Sequence, residues 1–148
     1  MQTTGVSPWP TPNCQQVEQV VFPAEPQQCG AARRWTRAYF CRHELAELGD
    51  AAALAVSETF TNALRCPMTD PDGHPVIPIR IVRFPSLFRI EIYDGDPTPP
   101  PDAVPIPAAG DERHRGLVVV DALATQRGSF RAGSGKAVWF TLPRDLGK

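Results

Sequence analysis

The sequence lacks several features that would identify whole classes of protein. No apolar run approaches the roughly 20 residues needed to span a bilayer, and residues 1–12 are polar and proline-bearing, unlike a secretory signal. The formal net charge is −1 and the basic residues form no dense patch, which argues against a protein that binds nucleic acid through its charge. These absences predict a cytoplasmic protein that directly contacts neither membrane nor nucleic acid.

Cysteine is sparse and irregularly placed. The four residues are Cys14, Cys29, Cys41 and Cys66, with no CxxC pair and no pair of histidines nearby. This spacing fits neither a zinc site nor a dense disulfide framework. We therefore expect reduced, buried thiols.

The residues that are present suit one folded domain. The chain has 148 residues, of which 42% are hydrophobic and 21% charged, enough to bury a core without cross-links. Periodicity predicts strands over 16–23, 77–84, 87–93 and 137–142, and helices over 28–45, 51–65 and 117–124. That order predicts a two-layer α/β sandwich, with the helices on one face of a mixed sheet.

The limits of these elements follow from local breaking residues. Gly49 and Asp50 are expected to separate the first two helices, with Asp50 as the N-cap of the second. Residues 97–107 contain six prolines, which no helix or central strand accommodates. We expect a flexible N-terminal tail over 1–15, one domain over 16–143, and a C-terminal tail over 144–148.

Glu58 and Asn62 lie one turn apart on the second predicted helix, away from its apolar face. A carboxylate and a carboxamide at this spacing can hold a hard cation and orient a proton acceptor. The alternative is a solvated helix face with a weak contact between the two side chains. Spacing alone favours that alternative.

Asp94 and Gly95 follow the strand predicted over 87–93. A carboxylate at the end of a buried strand can accept a hydrogen bond from an exocyclic amine such as that of adenine, and the glycine lets a ligand approach the backbone. The alternative is an ordinary turn, for which Asp-Gly is a common dipeptide.

Two further glycine motifs follow along the chain. Arg115 and Gly116 precede the helix predicted over 117–124, and free N–H groups at a helix start suit phosphate; the alternative is a plain helix start. Gly135 and Lys136 lack the spacing of a P-loop and precede a strand, which argues against a Walker-type NTPase.

In this order the motifs resemble the four nucleotide-binding boxes of the Bergerat-fold (GHKL) ATPases. The similarity is to the anti-sigma-factor serine kinases, in the small stand-alone form common in filamentous actinobacteria. Residues 57–63, 92–95, 115–124 and 135–140 carry it, and it extends over roughly residues 16–143. The resemblance implies the Bergerat (histidine kinase-like ATPase) fold, with ATP and Mg²⁺ as cofactors.

The resemblance also implies a role for each motif. Glu58 would be the catalytic base that takes the proton from an attacking serine, and Asn62 would coordinate Mg²⁺ on the ATP phosphates. Asp94 would read the adenine amine, with Gly95 giving room. Residues 96–115 would form the ATP lid. Further cofactor contacts are implied for Arg65, Arg115, Gly116, Leu117, Gly135 and Lys136.

Two functions are compatible with the resemblance. The first is an ATP-dependent serine/threonine kinase that phosphorylates a STAS-type anti-anti-sigma partner, sequesters a sigma factor, or does both, with a homodimer possible. The second is a non-catalytic anti-sigma-like module with weak or no ATP turnover. The second is open because two glycine boxes depart from the family pattern. The first, usually D-x-G-x-G, is reduced to Asp94-Gly95-Asp96-Pro97, and His114 stands where the second usually has glycine.

Overall fold

The computed structural model describes residues 14–99 and 126–144, which form a sheet with two helices packed on one face. The elements are β1 (Gln16–Pro23), α1 (Cys29–Arg42), α2 (Ala46–Ala63), β2 (Met68–Thr69), β3 (Pro75–Arg83), β4 (Leu87–Asp94), β5 (Gln126–Ala132) and β6 (Gly135–Pro143). A short 3₁₀ turn, Pro26–Gln28, leads into α1. No helix in the described ranges is long and apolar enough to cross a membrane.

The sheet has the strand order β1-β3-β4-β6-β5, and β2 also pairs with β3. The sequence predicts a mixed sheet, whereas every pairing between described strands is antiparallel. Tight turns join β3 to β4 and β5 to β6, and such short connections produce antiparallel neighbours. In the second turn Gly133 has φ of 60°, a conformation that glycine adopts without steric cost. The predicted two-layer α/β architecture is confirmed.

The core lies between the sheet and the helices. Alternate residues of the central strands point towards α1 and α2, as strand geometry requires. The main buried members of this layer are Phe22, Tyr39, Phe40, Leu48, Val56, Phe60, Ile77, Ile79, Ile81, Phe88, Ile90, Ile92, Phe140 and Leu142. This layer fixes the orientation of α2 over the middle of the sheet.

The predicted break at Gly49 and Asp50 is wrong, because α2 begins at Ala46 and continues through both residues. A Cβ at Gly49 would lie 3.0 Å from the Cβ of Phe40, so the glycine allows α2 to pass close to α1. Asp50 does not cap the helix; its Oδ1 lies 3.2 Å from Nε of Arg37. The chain instead turns at Glu44, where φ is 60°.

The opposite face of the sheet holds a buried ionic cluster. Glu91 has no exposed surface and accepts hydrogen bonds from Nε of Arg80 and Nε of Arg89, each at 2.8 Å. The Tyr93 hydroxyl donates to the same carboxylate at 2.7 Å. Desolvation lowers the pKa of Arg89, and the neighbouring Glu91 opposes this shift. One carboxylate thus links residues of β3 and β4 on the face away from the helices.

All four cysteines are free, as the sequence predicts, but burial was expected for each of them. Cys14 and Cys29 are half-buried, whereas Cys41 and Cys66 are exposed. Cys41 lies near the end of α1 on its solvent side, and Cys66 follows α2.

Candidate functional site

The last two turns of α2 carry Glu58 and Asn62. Val56 and Phe60 are fully buried, which confirms the predicted apolar face of this helix. Glu58 and Asn62 are half-buried on the other side. Within residues 14–99 and 126–144, neither side chain makes a hydrogen bond or an ion pair. Nothing else in the described part of the chain uses the acceptor positions of this carboxylate and this carboxamide oxygen.

The residues after α2 are joined to the end of β4. The amide of Cys66 donates to the carbonyl of Ala63 at 3.3 Å, and the amide of Gly95 donates to the carbonyl of Cys66 at 2.7 Å. A Cβ at Gly95 would lie only 2.6 Å from the carbonyl oxygen of Pro67, so the position requires glycine. The space left by the missing side chain is used by Pro67, and contact between Gly95 and a ligand stays a prediction.

Asp94 and Lys136 meet across the β4–β6 pairing. The strand register places them directly opposite each other, and both side chains are only 10% exposed. Nζ of Lys136 lies 3.1 Å from Oδ1 of Asp94 and donates to the carbonyl of Asp96 at 2.9 Å. The amide of Asp96 also donates to Oδ1 of Asp94, at 2.8 Å. Within the described chain, Oδ2 of Asp94 accepts no hydrogen bond.

The hydrogen bonds and the ion pair of Asp94 only partly compensate for its burial. Desolvation raises the pKa of this carboxyl group, while the amide of Asp96 and the ammonium of Lys136 act to lower it. A donor that reached the remaining oxygen would therefore find a carboxylate with little competition from water. Hydrogen bonds are stronger in such surroundings than at an exposed group.

Gly135 has a structural role at the start of β6. A Cβ there would overlap the carbonyl oxygen of Asp94 and lie 2.7 Å from Cα of Gly95. The absence of a side chain lets β6 begin directly beside the end of β4. Gly135 thereby brings Lys136 into register with Asp94.

The structure places only part of the predicted site. It brings together Asp94, Gly95, Gly135 and Lys136, and it ties them to the turn after Asn62. Arg65 is exposed just after α2. The predicted phosphate-binding residues Arg115, Gly116 and Leu117, the helix over 117–124 and residues 100–115 of the lid lie outside the described residues.

One hydrogen-bonding group of the site could not have been identified from the sequence. The carbonyl oxygen of Asp96 accepts a hydrogen bond from Lys136, and a backbone acceptor cannot be read from residue type. The pairing of Lys136 with Asp94 had an indirect signal, because the two residues belong to neighbouring boxes of the resemblance.

His43 lies directly after α1, at its C-cap position. Its ring lies 4.5 Å from that of Tyr39, and its Nδ1 lies 3.5 Å from a terminal nitrogen of Arg83. Desolvation lowers the pKa of His43, and Arg83 adds to the effect. These contacts hold a half-buried ring at the helix end.

Comparison with known families agrees with this geometry. The family model described as "Histidine kinase-like ATPase domain" matches residues 22–142. The matched segment contains α2, the end of β4 and the start of β6. A search of curated proteins returned no match. The chain belongs to the family of histidine kinase-like (GHKL-type) ATPase domains.

Proposed function

We propose that this chain is an ATP-binding regulatory protein that phosphorylates a serine of a STAS-type anti-anti-sigma partner, sequesters a sigma factor, or does both. Family membership supports ATP binding. The observation that supports the site most directly is the hydrogen bond from Gly95 to Cys66. It joins the segment directly after the helix of Glu58 and Asn62 to the residue directly after Asp94.

The described residues fit ATP and Mg²⁺. Asn62 offers a carboxamide oxygen, a ligand type that suits a hard cation, and Glu58 lies one turn earlier on the same helix. Oδ2 of Asp94 accepts no hydrogen bond from the described residues, and it suits the adenine amine. Bound Mg²⁺ would offset the charge that the phosphates carry during transfer.

In this assignment each residue does one task. Asn62 would hold the metal, which would offset phosphate charge, and Asp94 would orient the base. Glu58 takes the proton that the serine hydroxyl loses as its oxygen displaces ADP from the γ-phosphoryl group. General bases of this kind contribute about 10²- to 10⁴-fold to rate.

A non-catalytic anti-sigma-like module is the second candidate. The observation in its favour is the segment that follows Asp94. The amide of Asp96 is hydrogen-bonded to Asp94, and the amide of Thr98 to Asp96, where the family usually has a glycine-rich box. Because these two backbone amides already donate to side chains of the protein, they are not available to donate to a ligand.

The test is thermal unfolding with and without MgATP at millimolar nucleotide, followed by radiolabelled phosphate transfer to a STAS-domain partner. Ligands that bind only the folded state raise its stability in proportion to the logarithm of their concentration. A rise in Tm with transfer supports the kinase. A rise without transfer supports the binding module. No rise with ATP would contradict ATP binding and with it the kinase.

A further inference from the structure

The Lys136 side chain combines burial with an incomplete set of hydrogen bonds. Lysine is rarely buried without partners, and Lys136 is only 8% exposed. An ammonium group has three N–H donors. One points to Oδ1 of Asp94 and one to the carbonyl of Asp96. Within the described residues the third donor makes no hydrogen bond.

Asp94 shows the complementary arrangement. Its Oδ1 accepts hydrogen bonds from Lys136 and from the amide of Asp96, at 3.1 and 2.8 Å. Its Oδ2 accepts none from the described residues. Among the described residues, the end of β4 and the start of β6 thus present one unused acceptor and one unused donor side by side. A ligand that matches both must carry a donor next to an acceptor.

Adenine has this pattern on its Watson–Crick edge. Its N6 amine donates, and the adjacent ring nitrogen N1 accepts. Guanine presents the reverse on the same edge, with O6 as an acceptor and N1–H as a donor. A site built to hydrogen-bond one pattern rejects the other, because its buried polar groups would be left unpaired.

We infer that Lys136 donates its third hydrogen bond to N1 of adenine while Asp94 accepts from the N6 amine. The two residues together then select adenine over guanine. This inference rests on the proposed binding of ATP and adds to it a base-reading role for Lys136. The competing explanation is that Lys136 only holds Asp94 in place.

The two explanations differ in how binding responds to changes in the base. We would measure Kd by calorimetry for ATP, for 1-deaza-ATP, which has a C–H in place of N1, and for 7-deaza-ATP as the ligand control. A hydrogen bond from a charged donor corresponds to about 10- to 100-fold in affinity. The wild-type protein should therefore bind 1-deaza-ATP about 10- to 100-fold more weakly than ATP. Any loss with 7-deaza-ATP should be the same in wild type and in Lys136→Met.

Lys136→Met removes the donor and keeps the length of the side chain. It should weaken ATP binding and reduce the preference for ATP over 1-deaza-ATP to less than about 2-fold, since no donor to N1 remains. Arg37→Met is the matched control, because Arg37 is a half-exposed cation on α1, paired with Asp50. It should keep the full preference.

Each outcome is decisive. If the wild type binds ATP and 1-deaza-ATP equally, or if Lys136→Met keeps the preference, the base-reading role is overturned while ATP binding stands. If the wild type binds no ATP, the proposed function fails and the inference fails with it. Should Lys136→Met not fold, the Nζ resonance of wild-type Lys136 decides. It should move on binding ATP by more than on binding 1-deaza-ATP, and equal movement would overturn the role.

Discussion

The amide nitrogen of Gly95 lies 2.7 Å from the carbonyl oxygen of Cys66. This bond crosses from the end of β4 to the segment after α2, and the carbonyl of Pro67 packs against the same glycine. Asn62 is four positions before Cys66, and Asp94 is next to Gly95. This hydrogen bond therefore helps to fix the position of the proposed metal ligand relative to the proposed base reader.

Gly95→Ala should weaken both stability and ATP binding. The added Cβ would lie 2.6 Å from the carbonyl oxygen of Pro67, so one of the two segments must shift. Overpacking of this kind costs about 1–3 kcal/mol. Urea unfolding and calorimetry with MgATP measure the two effects.

Gly30→Ala is the control for that variant. Gly30 lies in the first turn of α1, and the nearest atoms to an added Cβ are the ends of the Arg34 and Arg33 side chains, which can move. Alanine in a helix is favoured over glycine by about 1 kcal/mol, so stability should be unchanged or slightly higher. Equal losses in the two variants would contradict the role assigned to Gly95.

Asn62→Ala should weaken ATP binding only when Mg²⁺ is present. The substitution removes the carboxamide oxygen proposed as metal ligand and leaves the base-reading residues intact. Calorimetry with ATP in Mg²⁺ and in EDTA separates the two conditions. Thr61→Ala, an exposed neighbour on the same helix, should behave like the wild type in both. An unchanged Mg²⁺-dependent affinity in Asn62→Ala would refute the metal role.

Glu58→Gln should separate binding from transfer. It keeps the size and hydrogen-bonding capacity of the side chain but removes the proton acceptor. MgATP should still raise Tm as in the wild type, while the rate of phosphate transfer to a STAS partner falls by about 10²-fold or more. Transfer at the wild-type rate would exclude Glu58 as the base.

Asp94 should titrate above the ordinary range of aspartate, and Asp70 below it. Burial raises the pKa of Asp94 and the nearby Asp96 carboxylate adds to this, against the amide of Asp96 and the ammonium of Lys136. Hydrogen bonds from the amides of His74 and Asp72 lower the pKa of Asp70. Carboxyl carbon NMR of the ligand-free protein measures both.

Lys136→Met should raise the pKa of Asp94 further and leave that of Asp70 unchanged. Because the folded-state pKa of Asp94 is raised, its contribution to stability is complete below the unfolded value. It is lost as pH rises through the folded value. Lys136→Met should therefore cost more stability at neutral pH than under acid conditions. An unmoved Asp94 titration would show that the ammonium does not act on this carboxylate.

Glu91→Gln should strongly destabilise the fold. The change leaves Arg80 and Arg89 without their shared buried carboxylate, and breaking a buried ion pair costs about 3–5 kcal/mol. Asp50→Asn breaks the pair with Arg37, whose side chains are 76% and 48% exposed, and should cost about 0–1 kcal/mol. Similar urea midpoints for the two variants would contradict the importance of the buried cluster.

The strands that alternate apolar and polar residues could be predicted from the sequence. β1 was predicted with the bounds that the structure has, and β3, β4 and β6 within a few residues. β5 was missed because Gln126–Ala132 is mostly polar or small. Its only described partner in the sheet is β6, so it needs no continuous apolar pattern of its own.

The errors in the helical layer and on the far face of the sheet have tertiary causes. Glycine disfavours helix, so the sequence predicts a break at Gly49. The close approach of Gly49 to Phe40 arises only when the two helices pack together. Likewise, alternation in β4 predicts that Arg89 and Glu91 face solvent, whereas both are fully buried. Their burial depends on mutual charge compensation, which residue type alone does not reveal.

The direct pairing of Asp94 with Lys136 has a consequence for how such a domain diversifies. The two residues are 42 positions apart in the sequence, yet the register of two adjacent strands alone sets their spacing. We therefore expect insertions or deletions between residues 100 and 125 to leave that register unchanged. The proposed recognition of the base would therefore not depend on the length of the intervening chain. We expect related domains to differ in that length while retaining the pair.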